Sequence, residues 1–249
     1  MWRKKMRNPK WKKARRGRKG QRWYVNKRGV LVHMFKRQAP GFELTNTATQ
    51  GIVATSDGNQ IGLQTPVFES SLSGGGAPYR FGAVSYFKLS NVLQSSDLTT
   101  LYDRYKINAI KVRIIPLSNF ANVNGQGIIP TMVYHTDYDD ATTPTSDSDV
   151  RVKAGAKEVR LDKPRTIYIR PKIADAILGA SAGTAYSVPK AAPYINMSYP
   201  DVPHYGLKMY FRDFNLQAAT TTSTNTCVRF ETTYYISCKI VTGKHIFNP

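Results

Sequence analysis

Residues 227–240 alternate with a period of two. The even positions Val228, Phe230, Thr232, Tyr234, Ile236, Cys238 and Ile240 are mostly apolar, and the odd positions Arg229, Glu231, Thr233, Tyr235, Ser237 and Lys239 are mostly polar or charged. Successive side chains of a strand point to opposite faces, so this pattern buries one face of a sheet and wets the other; wound as a helix it would bury neither set cleanly. The same signature recurs elsewhere. In 205–213 Tyr205, Leu207, Met209 and Phe211 oppose Lys208, Tyr210 and Arg212; Ile110, Val112 and Ile114 oppose Lys111 and Arg113; Ile167 and Ile169 oppose Thr166, Tyr168 and Arg170. Further strands are expected over 81–89 and 128–135, with weaker ones at 43–55 and 157–162, about eight in all.

One stretch reads as helix. Leu98, Leu101, Tyr102 and Tyr105 keep i, i+3, i+4, i+7 spacing behind Ser95, Ser96 and Asp97, which suit a helix start, so a short helix is expected to run straight into the strand at 106–115. The fold class that follows is all-β: an eight-stranded jelly-roll β-sandwich with long inter-strand loops, one short helix and a disordered basic N-terminal arm. The loops expected are 57–79, with Gly74-Gly75-Gly76; 137–156, rich in Asp, Thr and Ser; and 171–204, with five prolines. Structureless loops of this length are uncommon in a compact monomer and make sense when neighbouring copies cover them. No second domain and no repeat of fixed period is visible.

Charge divides the chain in two. The protein carries +20, and its first 37 residues hold sixteen Lys and Arg and no carboxylate, Glu43 being the first; subtracting sixteen leaves the rest at +4. The division is drawn at Pro40-Gly41: residues 1–40 as a disordered Arg/Lys-rich arm, 41–249 as the folded body. Every Lys or Arg that meets a phosphate releases condensed counterion, so the arm suits a polyanion. All three tryptophans, Trp2, Trp11 and Trp23, also lie in the arm, and aromatics among cations suit single-stranded nucleic acid, where bases stack on rings. Alternatively Trp23, with Tyr24, Val30, Leu31, Val32 and Phe35, pins the end of the arm to the body. Candidate nucleic-acid contacts are Arg3, Lys4, Lys5, Arg7, Lys10, Trp11, Lys12, Lys13, Arg15, Arg16, Arg18, Lys19, Arg22, Trp23, Lys27, Arg28, Lys36 and Arg37. Of these, Lys12, Lys13, Arg15, Arg16, Arg18 and Lys19 also read as a nuclear localisation signal.

Other chemistries find little support. No secretory peptide and no 18-residue apolar run is present, so a product made without export is expected, with Cys227 and Cys238 as reduced thiols too far apart in one strand to bridge. On that expectation the sequon Asn196-Met197-Ser198 would not be glycosylated. There is no GxxxxGK[ST] loop, HExxH, CxxC or GxSxG, and no cofactor is expected. His135, Asp137, Asp139 and Asp140 are the one cluster with metal-ligand chemistry; a solvated loop is the plainer account, with a structural cation at a subunit contact as the alternative and no metal assigned.

The stretch 101–116, Leu101-Tyr102-Asp103-Arg104-Tyr105-Lys106-Ile107-Asn108-Ala109-Ile110-Lys111-Val112-Arg113-Ile114-Ile115-Pro116, resembles the short tyrosine-bearing helix and basic-alternating strand of circovirus-like capsid proteins. Residues 134–140 and 165–172, and the terminal strand at 229–240, are similar to later strands of that family. Family arms carry more arginine than this glycine-spaced Lys/Arg arm. The resemblance implies a structural, non-enzymatic protein of a circular single-stranded DNA virus: a homo-oligomer of sixty copies in a T=1 shell, with arms inward on viral single-stranded DNA. It also implies nuclear import receptors as partners, a host attachment receptor of unknown identity, and location in the virion and, during assembly, the host nucleus. Sixty such arms would neutralise on the order of a thousand phosphates. The competing reading, a non-viral nucleic-acid-binding protein of ribosomal type with a basic tail, expects cations spread over the globular body, which here holds only +4.

Overall fold

A computed structural model describes residues 22–25, 31–47, 51–55, 61–63, 67–68, 79–117, 129–138, 142–178, 185–191, 193–214 and 225–240. In chain order its elements are β1 (Arg22–Val25), β2 (Leu31–Gln38), β3 (Phe42–Thr47), β4 (Gly51–Thr55), β5 (Ile61–Leu63), β6 (Val67–Phe68), β7 (Tyr79–Phe87), a 3-10 turn (Leu89–Asn91), α1 (Ser95–Leu101) and β8 (Arg104–Pro116). Then follow β9 (Thr131–His135), α2 (Asp147–Arg151), β10 (Lys157–Arg160), β11 (Arg165–Ile169), β12 (Lys172–Leu178), β13 (Ala185–Ala191), β14 (Ile195–Asn196), β15 (His204–Phe214) and β16 (Asn225–Lys239).

The strands form two antiparallel sheets. β16 is the spine of the first: β2 and then β3 run along one of its edges, β8 along the other, with β11 and β14 outside β8 and β1 and β4 outside β2 and β3. β15 is the spine of the second, between β7 and β9, with β10 outside β9 and the β12–β13 hairpin joining at Lys172↔Tyr205. The chain passes from sheet to sheet in turn, through β3, β7, β8, β9, β11, β15 and β16, which is the jelly-roll path.

The alternation in β16 explains where the core lies. Val228, Phe230, Tyr234, Ile236 and Cys238 are fully buried, as are Ile110 and Ile114 of β8 and Leu207, Met209 and Phe211 of β15. Aromatic rings join the layers. Phe42 stacks on Phe230 at 4.6 Å within the first sheet, Phe81 on Phe211 at 4.7 Å within the second, and Phe211 meets Phe230 edge-on at 6.4 Å between them. Offset and edge-to-face pairs of this kind add about 0.5–1.5 kcal/mol beyond the area they bury.

Several expectations need correction. The described strands number sixteen rather than about eight, because the expected loops contain paired backbone. Residues 171–204 hold the β12–β13 hairpin and β14, and β5 and β6 of the 57–79 stretch pair with β7. The stretch 137–156 contains α2, a second helix, opened by a Ser146–Asp149 capping box. A 3.6 period needs more residues than this helix has, so only the S-x-x-D cap marked it. α1 is present but ends at Leu101; Leu98 is buried and Leu101 exposed, while Tyr102 and Tyr105 have left the helix, and Tyr105 is buried from β8 instead. Its N-cap is Gln94 in the left-handed region, with no side-chain cap.

The boundary at residue 40 also moves. β2 lies wholly on the arm side of it yet pairs residue by residue with β16, from Val32↔Lys239 to Gln38↔Thr233. Phe35 and Ala39 are buried, Ala39 N donates to the Thr232 carbonyl, and Phe42 pairs with Phe230, so the chain keeps to β16 on both sides of Pro40. Charge concealed this strand, since its cations sit between core-facing residues. β1 in turn pairs with β2 through Trp23↔His33, placing the Trp23 backbone in the sheet as the pinning alternative requires.

Candidate nucleic-acid and assembly surfaces

The outer faces of the two sheets differ in chemistry. On the first sheet the register brings Lys36 opposite Tyr235, and Lys111 between Thr233 and Tyr168; Lys106 lies opposite Ser237, and Arg104 opposite Lys239. Two cation–carboxylate pairs occupy the far end of this face: Arg113 Nη1–Glu231 Oε2 at 3.1 Å, and Arg229 with Glu43 at 2.6 Å. Among the described residues, Lys36, Arg104, Lys106 and Lys111 lie within ion-pair distance of no carboxylate, and Tyr168 stands 65% exposed beside them. The face therefore keeps an excess of positive charge over aromatic rings.

On the second sheet the cations nearest α2 and the spine strand are paired with carboxylates, while Lys157 and Arg160 of the edge strand β10 stand exposed. Arg151 bonds Asp147 at 2.8 Å and Glu158 at 2.9 Å, and Arg212 lies 3.5 Å from Asp147 and 3.9 Å from Glu158, so α2 is strapped to β10 and β15. Beneath it Val150 packs on Val133 and Tyr210. Lys208 Nζ sits 3.0 Å from Asp137 Oδ2, with His135 Nε2 at 3.8 Å from the same oxygen, all three side chains nearly buried. Burial holds the His135 pKa below its ordinary value, against an upward pull from Asp137.

That geometry bears on the suspected cation cluster. His135 and Asp137 do come together, but the ammonium of Lys208 occupies the place a metal would take, and Asp139 and Asp140 lie outside the described residues. Among the described residues no three His, Cys, Asp or Glu side chains converge as a metal site would require.

The arm candidates divide similarly. Arg3, Lys4, Lys5, Arg7, Lys10, Trp11, Lys12, Lys13, Arg15, Arg16, Arg18, Lys19, Lys27 and Arg28 lie outside the described residues; Arg22 and Trp23 lie in β1, described by backbone alone. Lys36 and Arg37 fall on opposite sides of β2. Lys36 faces outward, whereas the Arg37 guanidinium is half-buried over the Phe35 ring at 5.3 Å. Sequence reasoning passed over Arg104, Lys106 and Lys111, whose signal was the basic alternation in β8 itself.

Between the sheets His204 is fully buried beside Tyr105; its Nδ1 lies 3.0 Å from the Val202 carbonyl, and desolvation brings its pKa down to about 4. Cys238 is buried with its thiol pushed up to about 12, and Cys227 shares the same strand, so the two cannot bridge within it. No described helix is long and apolar enough to cross a membrane.

Comparison with known proteins places these surfaces in context. The profile of a family described as "Circovirus capsid protein" matches residues 3–242, arm and sandwich together. The 60-mer form of the BFDV capsid protein superposes with a TM-score of 0.57 at 14% identity, covering 90% of this chain and 100% of that one. The decameric form gives 0.50 at 17% identity, covering 83% and 98%. At such identity the likeness speaks for the fold. No curated protein matches the chain.

Proposed function

The chain belongs to the circovirus capsid protein family, and from that membership we propose that it assembles into a T=1 shell of sixty copies and packages circular single-stranded DNA through its basic arm. The role is structural, and the place of the protein is the virion. What carries the reading is the pairing, within one family match over residues 3–242, of a cationic segment free of carboxylates with a jelly roll. Clustered Lys and Arg neutralise phosphate by counterion release, and phosphate contacts by themselves carry no sequence information. Both BFDV capsid structures are multimers, one a 60-mer and one a decamer, which supports assembly from a subunit of this shape. In this reading the cluster from Lys12 to Lys19 serves nuclear import before assembly, and the sandwich performs no catalysis.

The test follows from where β1 and β2 lie. Removing residues 1–37 would strip a strand from β16, so the informative truncation ends at residue 21, before β1. The full chain should form uniform particles in negative stain that protect DNA from nuclease and should enter nuclei. The truncated chain should stay folded by circular dichroism while losing both protected DNA and nuclear import. Full packaging by the truncated chain, or a monomer at every concentration, would refute the proposal.

A further inference from the structure

We infer that the outer face of the first sheet is itself a docking surface for single-stranded polynucleotide, with Lys36, Arg104, Lys106 and Lys111 meeting phosphates and Tyr168 and Tyr235 offering rings to bases. The inference rests on the packaging reading above and adds a site in the folded body to the arm.

Three observations carry it. The four cations share one sheet face with no carboxylate in reach among the described residues, while Glu43 and Glu231 at its far end are already held by Arg229 and Arg113. The two tyrosines interleave with them in register, Tyr235 opposite Lys36 and Tyr168 opposite Lys111, the combination of charge and stacking platform that single strands use. Finally, the arm joins at this sheet: β1, which the eleven Lys and Arg before Arg22 precede in the chain, is its edge strand. On the opposite sheet Lys208 and Arg212 of the spine strand are paired to Asp137, Asp147 and Glu158, which leaves Lys157 and Arg160 at its β10 edge with no exposed tyrosine paired to them in register. A second copy fits less well as occupant. Two such faces would repel, and Asp137, Asp147 and Asp149 of the acidic loop are engaged within their own chain.

The test uses the full chain and an oligodeoxythymidine probe. Replacing Lys36→Gln, Lys106→Gln and Lys111→Gln together should flatten the slope of log affinity against log salt by about two, near 0.7 for each lost phosphate contact on a single strand. Tyr168→Ala should weaken binding about fivefold or more. Independently of any substitution, iododeoxyuridine photo-crosslinking of the unaltered protein should tag the peptides bearing Tyr168 or Tyr235. An unchanged slope with crosslinks confined to residues 1–30 overturns the face and leaves the arm reading standing. No binding by the full chain removes both. A triple variant that keeps its DNA affinity but changes particle size makes this face a contact between copies, which also overturns the inference.

Discussion

Lys208 and Asp137 form a nearly buried ion pair: Nζ and Oδ2 are 3.0 Å apart, with side chains only 11% and 10% exposed. β15 supplies the cation, and the turn leaving β9 supplies the anion, so the pair ties a connecting segment to the spine of the second sheet. Removing one partner leaves the other a nearly buried charge without this counter-ion. Lys208→Met should cost about 3–5 kcal/mol, and Asp137→Asn combined with it should recover much of the loss, because desolvation opposes much of what a buried pair gains. Urea denaturation of the single and double variants measures both; additive losses would contradict the coupling.

His204 makes stability depend on pH. Its folded pKa of about 4 lies below the unfolded value of 6.5, so in that interval the unfolded chain binds the extra proton. The stability is fully present above pH 6.5 and falls as pH drops toward 4, by about 3 kcal/mol in all. His135, lowered in the same direction by burial, adds to the trend. Denaturant midpoints measured from pH 7.5 to 4.5 should decline, and His204→Asn should shrink that decline at some cost in stability at neutral pH.

Gly206 admits no side chain. A Cβ there would lie 2.7 Å from Ile169 Cγ2, with Phe87 and the Pro171 backbone 3.8 Å away. Ile169 is buried at the seam between β11 and β15 and cannot swing into solvent. Gly206→Ala should therefore lower stability by about 1–3 kcal/mol as overpacking does. A shift in thermal midpoint reads it.

The cap of α2 is a separate, local test. Asp149 N donates to Ser146 Oγ at 3.3 Å; the Asp149 carboxylate accepts from the Thr145 hydroxyl at 2.9 Å and from Thr145 N and Ser146 N, and these bonds, the hydroxyl's foremost, hold its pKa down to about 2. Ser146→Ala should cost about 1 kcal/mol. The loss should show as faster hydrogen exchange across α2, with β15 and β16 protected as before.

How far the chain could be read in advance varied by element. β16, β8, β11 and the central part of β15 were legible because each buries one face against the other sheet, which imposes a period of two on its residues. β2 was not, since its charge suggested an arm, and only the ladder with β16 shows that Phe35 and Ala39 face the core while Lys36 faces out. The β12–β13 hairpin was hidden for another reason: prolines in the stretch argue against a strand, yet Pro189 sits in β13, paired with Ala174, at the end of a sheet path, and edge strands are where a sheet tolerates proline.

The candidate site divides along the same line. The amino-acid order determined the segregation of charge, the all-β character and the family resemblance, since each rests on composition or on periodicity within one segment. Which cations share a face could not be read that way. Lys36, Lys111 and Tyr168 are far apart along the chain, and only strand pairing through β16 and β8 sets them side by side. Register is a property of two strands together, and a slip of one residue would have turned every one of those side chains to the other face.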